Sequence, residues 1–299
     1  MLATRFTELV GCSLPLQLAT LGGVGSVELA AAVAGAGGLA MLPLHLVTPE
    51  FDSVKGVRGI NFTRPDRAQA QDISQAAKRA RVIEFFWAEP DAELVKPAKA
   101  EGALVAWQVG SAEEAVAAER AGADLVIAQG MEAGGHVRGK VGLLPLLAAV
   151  LEAVPLPVVA AGGIAHPRTV AGVLAAGADA VRVGTAFVAT DECNAHDAYK
   201  QALVFAKAED TVYTEAFGGG WPHAPHRVLR GAYEAAQAAD PQHEGEWPVS
   251  PPSRAFTGDP RSAALYAGQG VGHVTAVKPA AEVAAWLMSG LPADAPTAT

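Results

Sequence analysis

The chain has 299 residues, 51% hydrophobic and 18% charged, which suits one large α/β barrel or two ordinary domains and excludes extensive disorder. A formal net charge of −9 argues against a nucleic-acid-binding surface, and no apolar run approaches the ~20 residues that span a bilayer. The N-terminal residues lack a signal-peptide core, and two cysteines, Cys12 and Cys193, cannot build a disulfide framework, so a soluble cytoplasmic protein with two buried thiols is expected.

From Leu14 onward, short apolar runs alternate with amphipathic stretches. The first strand is expected over Leu14–Ala19, followed by the turn Leu21-Gly-Gly-Val-Gly25. Ser26 then serves as N-cap of a helix reaching about Ala36, which Gly37 and Gly38 end. Leu39–Leu42 and Val57–Phe62 are the second and third strands, and a helix is expected over Asp66–Arg79. Val82–Trp87 is the fourth strand, and a helix from about Asp91 to Ala100 leads to the fifth, Leu104–Val109. Ser111-Ala-Glu-Glu114 fits a capping box that opens a helix ending at Gly122. The sixth strand is Asp124–Ala128, Gly142–Ala153 is helical, and the seventh strand is Pro157–Ala161. Pro167 suits the first turn of a helix that ends near Gly177, and Ala180–Val183 is the eighth strand.

Eight βα units in order, with strands apolar on both faces, predict a (β/α)8 TIM barrel rather than a doubly wound sheet. The rhythm stops at Asp191. Helical stretches around Ala195–Ala208 and Gly231–Ala239 bracket loops that include Phe217-Gly-Gly-Gly-Trp-Pro-His223. Residues 191–275 are therefore expected to form a helical, lid-like appendage and not an independent domain, with the barrel built from residues 1–190 and the C-terminal helices. The Ala293–Thr299 tail is expected to fray.

Chemistry concentrates after the sixth strand, in Gln129-Gly-Met-Glu-Ala-Gly-Gly-His136. Residues there lie at the C-terminal end of a strand, where α/β proteins keep their sites. Gly134 and Gly135 let the backbone approach a ligand and let His136 project into a pocket. The competing reading is an ordinary glycine turn with an incidental histidine. A second signal is the pair Ala160-Ala-Gly-Gly-Ile164 and Gly184-Thr185, after the seventh and eighth strands. Barrels often grip a phosphate with backbone N–H groups at this pair of loops, where a side chain would hold the anion too far away.

These motifs, with Pro15-Leu-Gln-Leu-Ala-Thr-Leu-Gly-Gly-Val24, Gly177-Ala-Asp-Ala-Val181 and Tyr266-Ala-Gly-Gln-Gly270, resemble those of nitronate monooxygenases, formerly 2-nitropropane dioxygenases, from about residue 11 to residue 288. The resemblance implies noncovalent FMN in a TIM barrel. Asn61, Gln129 and Gly134 would contact the flavin ring or ribityl chain, and Gly162, Gly163, Gly184 and Thr185 its phosphate. His136 would stand over the flavin as catalytic base or polarising group. The implied reaction is oxidation of alkyl nitronates, nitroalkanes or similar activated carbon acids by O2. Enoyl-acyl-carrier-protein reductases that use FMN carry nearly the same Glu-Ala-Gly-Gly-His element, so an NAD(P)H-dependent enoyl-thioester reductase is the alternative. A non-redox phosphate-binding barrel is a third reading. The oligomeric state stays open, a homodimer among the options.

Several positions depart from the family pattern or carry competing readings. Leu21 stands where the family usually has Met, and only Val137-Arg-Gly-Lys-Val-Gly142 follows the histidine, so the substrate mouth is expected to differ. Leu21, Trp87 and Gln108 are candidate pocket residues; packing is the equal alternative for Trp87 and for Trp107. Glu84, inside an apolar strand, needs a partner, with Arg182 the best candidate, or else it tunes the site. His166 is expected to cap the helix at Pro167. His223 and His226 have a suggestive spacing, but Pro225 between them argues against a helical metal site, and no metal is expected. Lys55, Arg58 and Arg138 are expected in solvent.

Overall fold

The structure, a computed structural model, describes residues 3–291; the Ala293–Thr299 tail lies outside the described residues. Eight parallel strands form the barrel: β1 (Leu16–Leu18), β2 (Ala40–Pro43), β3 (Arg58–Phe62), β4 (Val82–Phe85), β5 (Leu104–Val109), β6 (Leu125–Gln129), β8 (Val158–Ala161) and β9 (Ala180–Val183), with the two-residue β7 (Gly135–His136) standing apart. The order β1-β9-β8-β6-β5-β4-β3-β2 is closed by a parallel bridge between Gln17 and Leu39, where Leu39 N–H donates to Leu16 O at 2.8 Å. The expected TIM barrel is therefore observed.

Helices α1 (Arg5–Val10), α2 (Val27–Gly35), α3 (Ala70–Ala77), α4 (Ala92–Ala100), α5 (Ala112–Ala121), α6 (Leu143–Ala153), α7 (Pro167–Ala175), α8 (Thr185–Val188), α9 (Asp197–Phe205), α10 (Arg230–Ala239) and α11 (Ala280–Met288) complete the chain. Ser26 caps α2 by accepting from Leu29 N–H at 2.9 Å, and His166 caps α7, with Pro167 at its first position. The expected capping box at Ser111 is half formed. Ser111 accepts from Glu114 N–H, but the Glu114 carboxylate turns to Gly110 N–H at 2.7 Å and to Arg138. The helix expected over Asp66–Arg79 is shorter, because Pro65–Arg67 makes a 3-10 turn and α3 starts only at Ala70.

Side chains alternate in and out along each strand. Outward residues such as Leu18, Leu42, Phe85 and Val126 pack against the helices in the larger core. Inward residues at the N-terminal ends, including Leu39, Val82, Leu104 and Leu125, make a second apolar core, plugged from below by Phe6 and Val10 of α1. Arg5 holds this plug through Asp179, which accepts from Nε and Nη2 at 2.9 and 2.7 Å. Two residues further along the inward rows the chemistry changes: Val82 gives way to Glu84, Ala106 to Gln108, Ile127 to Gln129 and Ala180 to Arg182. The interior is thus apolar at the bottom and polar at the mouth.

Residues 191–275 contain more than helices. β10 (Thr211–Thr214) and β11 (His226–Leu229) form an antiparallel pair, and β11 pairs in turn with β7, His226 opposite His136. The expected helical, lid-like appendage therefore also contains strands, which were not expected. The run His226-Arg-Val-Leu229 begins with two polar residues, which hides its strand character, yet all four residues are buried. Phe217, Val228, Ala236 and Trp247 give the segment its own small core. Among the described residues no helix is long and apolar enough to cross a membrane.

Phe6 is fully buried in the barrel plug. Phe6→Ala should cost about 3–5 kcal/mol of stability, read as a lower urea midpoint; a change below about 1 kcal/mol would contradict the plug.

Candidate active site

A cavity of about 680 Å³ opens at the C-terminal ends of the strands, a size suited to a cofactor together with a small substrate. Its lining includes Leu21, Asn61, Gln108, Gln129, Gly134, His136, Gly162, Gly163, Gly184 and Thr185, so the structure brings these expected positions together. Trp87 is a correction. β4 ends at Phe85, and it is Phe86 that faces the cavity, whereas Trp87 packs edge-on against His136 and Trp221 from behind. Trp107 is fully buried against Phe85 in the outer core. Arg64, Arg182, Trp221 and Tyr266 also line the cavity and were not expected there.

The floor is a hydrogen-bonded layer around Glu84, which is wholly inaccessible to solvent. Gln17 Nε2 donates to one carboxylate oxygen at 2.7 Å and Asn61 Nδ2 to the other at 2.7 Å, while Arg182 Nη1 lies 2.7 Å from the second oxygen. The expected Glu84–Arg182 ion pair is present. A buried carboxylate is tolerable on these terms, since a cation and two amide donors replace its lost water.

His136 owes its place to three local devices. A Cβ on Gly134 would lie 2.5 Å from Gly268 N, and Gly135 adopts φ +74°, so only glycines allow this approach and turn. Glu132 fixes the start of the loop, its carboxylate accepting from Leu143 N–H at the N-terminus of α6 at 2.9 and 3.0 Å. Gln129 Nε2 donates to His136 O at 2.9 Å, tying the loop to the end of β6.

The imidazole itself is held by Ala224. Its carbonyl accepts from His136 Nδ1 at 3.1 Å and from His226 Nδ1 at 2.9 Å. A carbonyl only accepts, so both rings carry their proton on Nδ1. His226 Nε2 in turn accepts from Phe217 N–H at 3.3 Å. His136 Nε2 is left as an unprotonated lone pair. Burial, followed by the nearby His226, lowers the His136 pKa to about 3, so the ring is neutral at physiological pH. Trp221 lies over it with ring centroids 3.9 Å apart, and the Arg64 guanidinium lies over Trp221 at 5.2 Å.

Another part of the cavity wall is backbone. Gly162 and Gly163 take φ +117° and +67°, and a Cβ on Gly162 would approach Gly130 O to 3.0 Å. Gly184 caps the short α8, and the Thr185 hydroxyl accepts from Gly268 N–H at 3.0 Å. Within the buried layer, Gln17 Oε1 and Gln129 Oε1 have no hydrogen-bond partner. A side-chain-free cradle beside an amide-lined floor with orphaned acceptors fits a phosphorylated, hydrogen-bonding planar cofactor.

The remaining expectations sort by burial. His226 is buried in β11 while His223 is exposed on the preceding loop, so the two do not converge. Arg58 donates to Phe51 O at 2.9 Å, and Arg138 pairs with Glu89 and Glu114, so neither is free in solvent as expected; Lys55 is exposed. Cys12 and Cys193 are buried, and burial raises their pKa values to about 12 and about 11, which marks them as inert thiols.

Fold and site together define a TIM barrel whose strand ends carry one cavity lined by glycine backbone and by His136. The nitronate monooxygenase family model matches residues 58–290, and the chain belongs to that family. It is 37% identical over 237 residues to a protein of Rhodococcus jostii named (3aS,4S,5R,7aS)-5-hydroxy-7a-methyl-1-oxo-octahydro-1H-indene-4-carboxyl-CoA dehydrogenase, a match covering 76% of this chain and 66% of that protein. The chain thus spans just under two thirds of that relative's length. Among solved structures it is similar to FabK from Thermotoga maritima, with TM-score 0.85, 32% identity and coverage of 97% and 96% of the two chains. It is also similar to nitroalkane oxidase from Streptomyces ansochromogenes, with TM-score 0.76, 32% identity and coverage of 95% and 97%.

The tautomer assignment is open to NMR. In ¹⁵N-labelled protein, His136 should show the neutral, Nδ1-protonated form and stay in it from about pH 7 to about pH 5. Titration near 6.5 would contradict the half-buried, carbonyl-bound ring.

Proposed function

We propose that the protein is an FMN-dependent oxidoreductase that oxidises nitroalkanes, alkyl nitronates or similar activated carbon acids with O2. The observation that carries this reading is the neutral His136, whose free Nε2 belongs to a ring lining the same cavity as the glycine cradle. Gly162, Gly163, Gly184 and Thr185 would hold the FMN phosphate, and Asn61, Gln129 and Gly134 the ring and ribityl chain. The chemistry that FMN supplies when bound is uptake of two electrons from the reacting carbon and their return to O2.

The chain's own residues prepare the carbon. His136 Nε2 takes the α-proton of a neutral substrate, and the Nδ1–H bond to Ala224 keeps the ring oriented during the transfer. Burial that keeps the ring neutral also weakens it as a base. Proton transfer, however, creates the imidazolium and the substrate anion together, and their attraction in the dry cavity offsets the penalty. A neutral carbon acid is therefore the better fit to His136 than a preformed anion. Trp221 and Phe86 give the mouth apolar walls that exclude water.

A second reading takes only its substrate class from the Rhodococcus relative, which is named a dehydrogenase of a carboxyl-CoA compound and so places a coenzyme A thioester in a related protein's reaction. On that reading the same cavity serves an NAD(P)H-dependent enoyl-thioester reductase.

Purified protein should be yellow or take up added FMN. Anaerobic mixing with a nitroalkane should bleach it, and bleaching by NADPH but not by nitroalkane would favour the reductase. His136→Ala should retain flavin and lower turnover by ~10²-fold or more; unchanged kcat/KM with a neutral nitroalkane would remove the base role.

A further inference from the structure

Arg182 has chemistry left over after its ion pair. It is 8% exposed, and among the described residues Glu84 is its one polar partner, at 2.7 Å. A guanidinium carries five N–H donors, so most of this buried cation's hydrogen-bonding capacity is unspent. The two partners also differ in position. Arg182 lines the cavity, while Glu84 does not and is wholly buried behind it. The ion pair is therefore a dipole with its positive end toward the cavity. Gln17 and Asn61 fix the negative end at 2.7 Å each, so the dipole cannot turn to suit an occupant. Register agrees: Arg182 pairs with Gln17 of β1 and with Ala161 of β8, which puts it at the foot of the Gly162–Gly163 cradle.

We infer that Arg182 is the positive charge the barrel floor presents to the flavin, with Glu84 as its positioning partner, and that the pair makes the bound flavin easier to reduce. The inference rests on the FMN reading above. Uptake of two electrons and one proton adds one negative charge to the flavin. A fixed cation at the wall of a water-poor cavity stabilises that added charge more than bulk water would. The step balances with water as co-reactant: a nitroalkane and water give a carbonyl product, nitrite, two electrons and three protons, of which the two electrons and one proton would pass to the flavin, the α-proton to His136 and the third proton to solvent.

The test is the two-electron potential of bound FMN, by dye-equilibrated titration of four holoproteins: wild type, Glu84→Gln, Arg182→Gln and the double variant. Removing the negative end should raise the potential and removing the positive end should lower it. Each shift should correspond to about a tenfold change in the relative affinity for reduced and oxidised FMN, or about 30 mV for a two-electron couple. The double variant should fall between the single variants and below wild type, because the dipole is lost. A purely structural ion pair would alter stability in both single variants without opposite potential shifts. If Arg182→Gln does not fold, Glu84→Gln alone decides, since its amide oxygen can accept from Asn61 Nδ2 while its NH2 donates to Gln17 Oε1, which has no other partner, once the Gln17 amide flips. Wild-type protein that binds no FMN overturns the flavin reading and this inference with it. FMN bound at one potential in every folded variant overturns this inference alone.

Discussion

The carbonyl of Ala224 accepts hydrogen bonds from two imidazoles, and much of the site follows from that sharing. It sets the tautomer of His136, so the nitrogen left over is an acceptor. It anchors His226 within β11, and β11 pairs with β7, so the appendage is fastened to the loop that bears the site histidine. Without the carbonyl, the buried His226 would hold an unpaired N–H, at a cost of about 1–3 kcal/mol, and the half-buried His136 would lose the bond that orients it. Barrel and appendage are thereby joined at the residue on which the proposed chemistry turns.

The barrel meets a second constraint at its other polar layer. A closed eight-stranded interior is filled by side chains, and here it is filled with hydrocarbon below and with amides, a carboxylate and a guanidinium above. The switch occurs within two residues on several strands, so the cavity floor is as rigid as the sheet that carries it. The loops contribute the opposite property. Glycines at 134, 162 and 163 remove side chains where backbone must come close, and Glu132 spends its charge on the α6 N-terminus and not in the cavity. The element Glu-Ala-Gly-Gly-His is thus half scaffold and half chemistry.

What was legible in the sequence divides along the same line. The eight strands could be read because most are short, largely apolar runs between turn residues, and the glycine motifs could be read because glycine after a strand has a conformational meaning. Glu84 announced its own partner, since a lone carboxylate in an apolar strand needs a cation. The β10–β11 pair was hidden because its buried polar residues find partners that no periodicity reveals: His226 close by, in Ala224 and Phe217, and Arg227 far along the chain, in Met131 O at 2.8 Å. Trp221, Tyr266 and Arg64 reach the cavity from segments with no periodic signal, although Tyr266 opens one of the family motifs. Trp87 failed by one residue of register, because β4 ends sooner than its apolar run suggests.

A flavin barrel with a neutral histidine differs physically from one with an imidazolium: the first removes a proton, while the second attracts an anion. The measurement that separates them most directly is the rate of anaerobic flavin reduction by a neutral nitroalkane as pH is lowered. His136 is held down to about 3, so its base form persists at every pH above that value and is lost only as pH falls through it. The account predicts a rate that stays level from about pH 7 to about pH 5. A tenfold loss per pH unit beginning near 6.5 would show an ordinary, solvated histidine and contradict it.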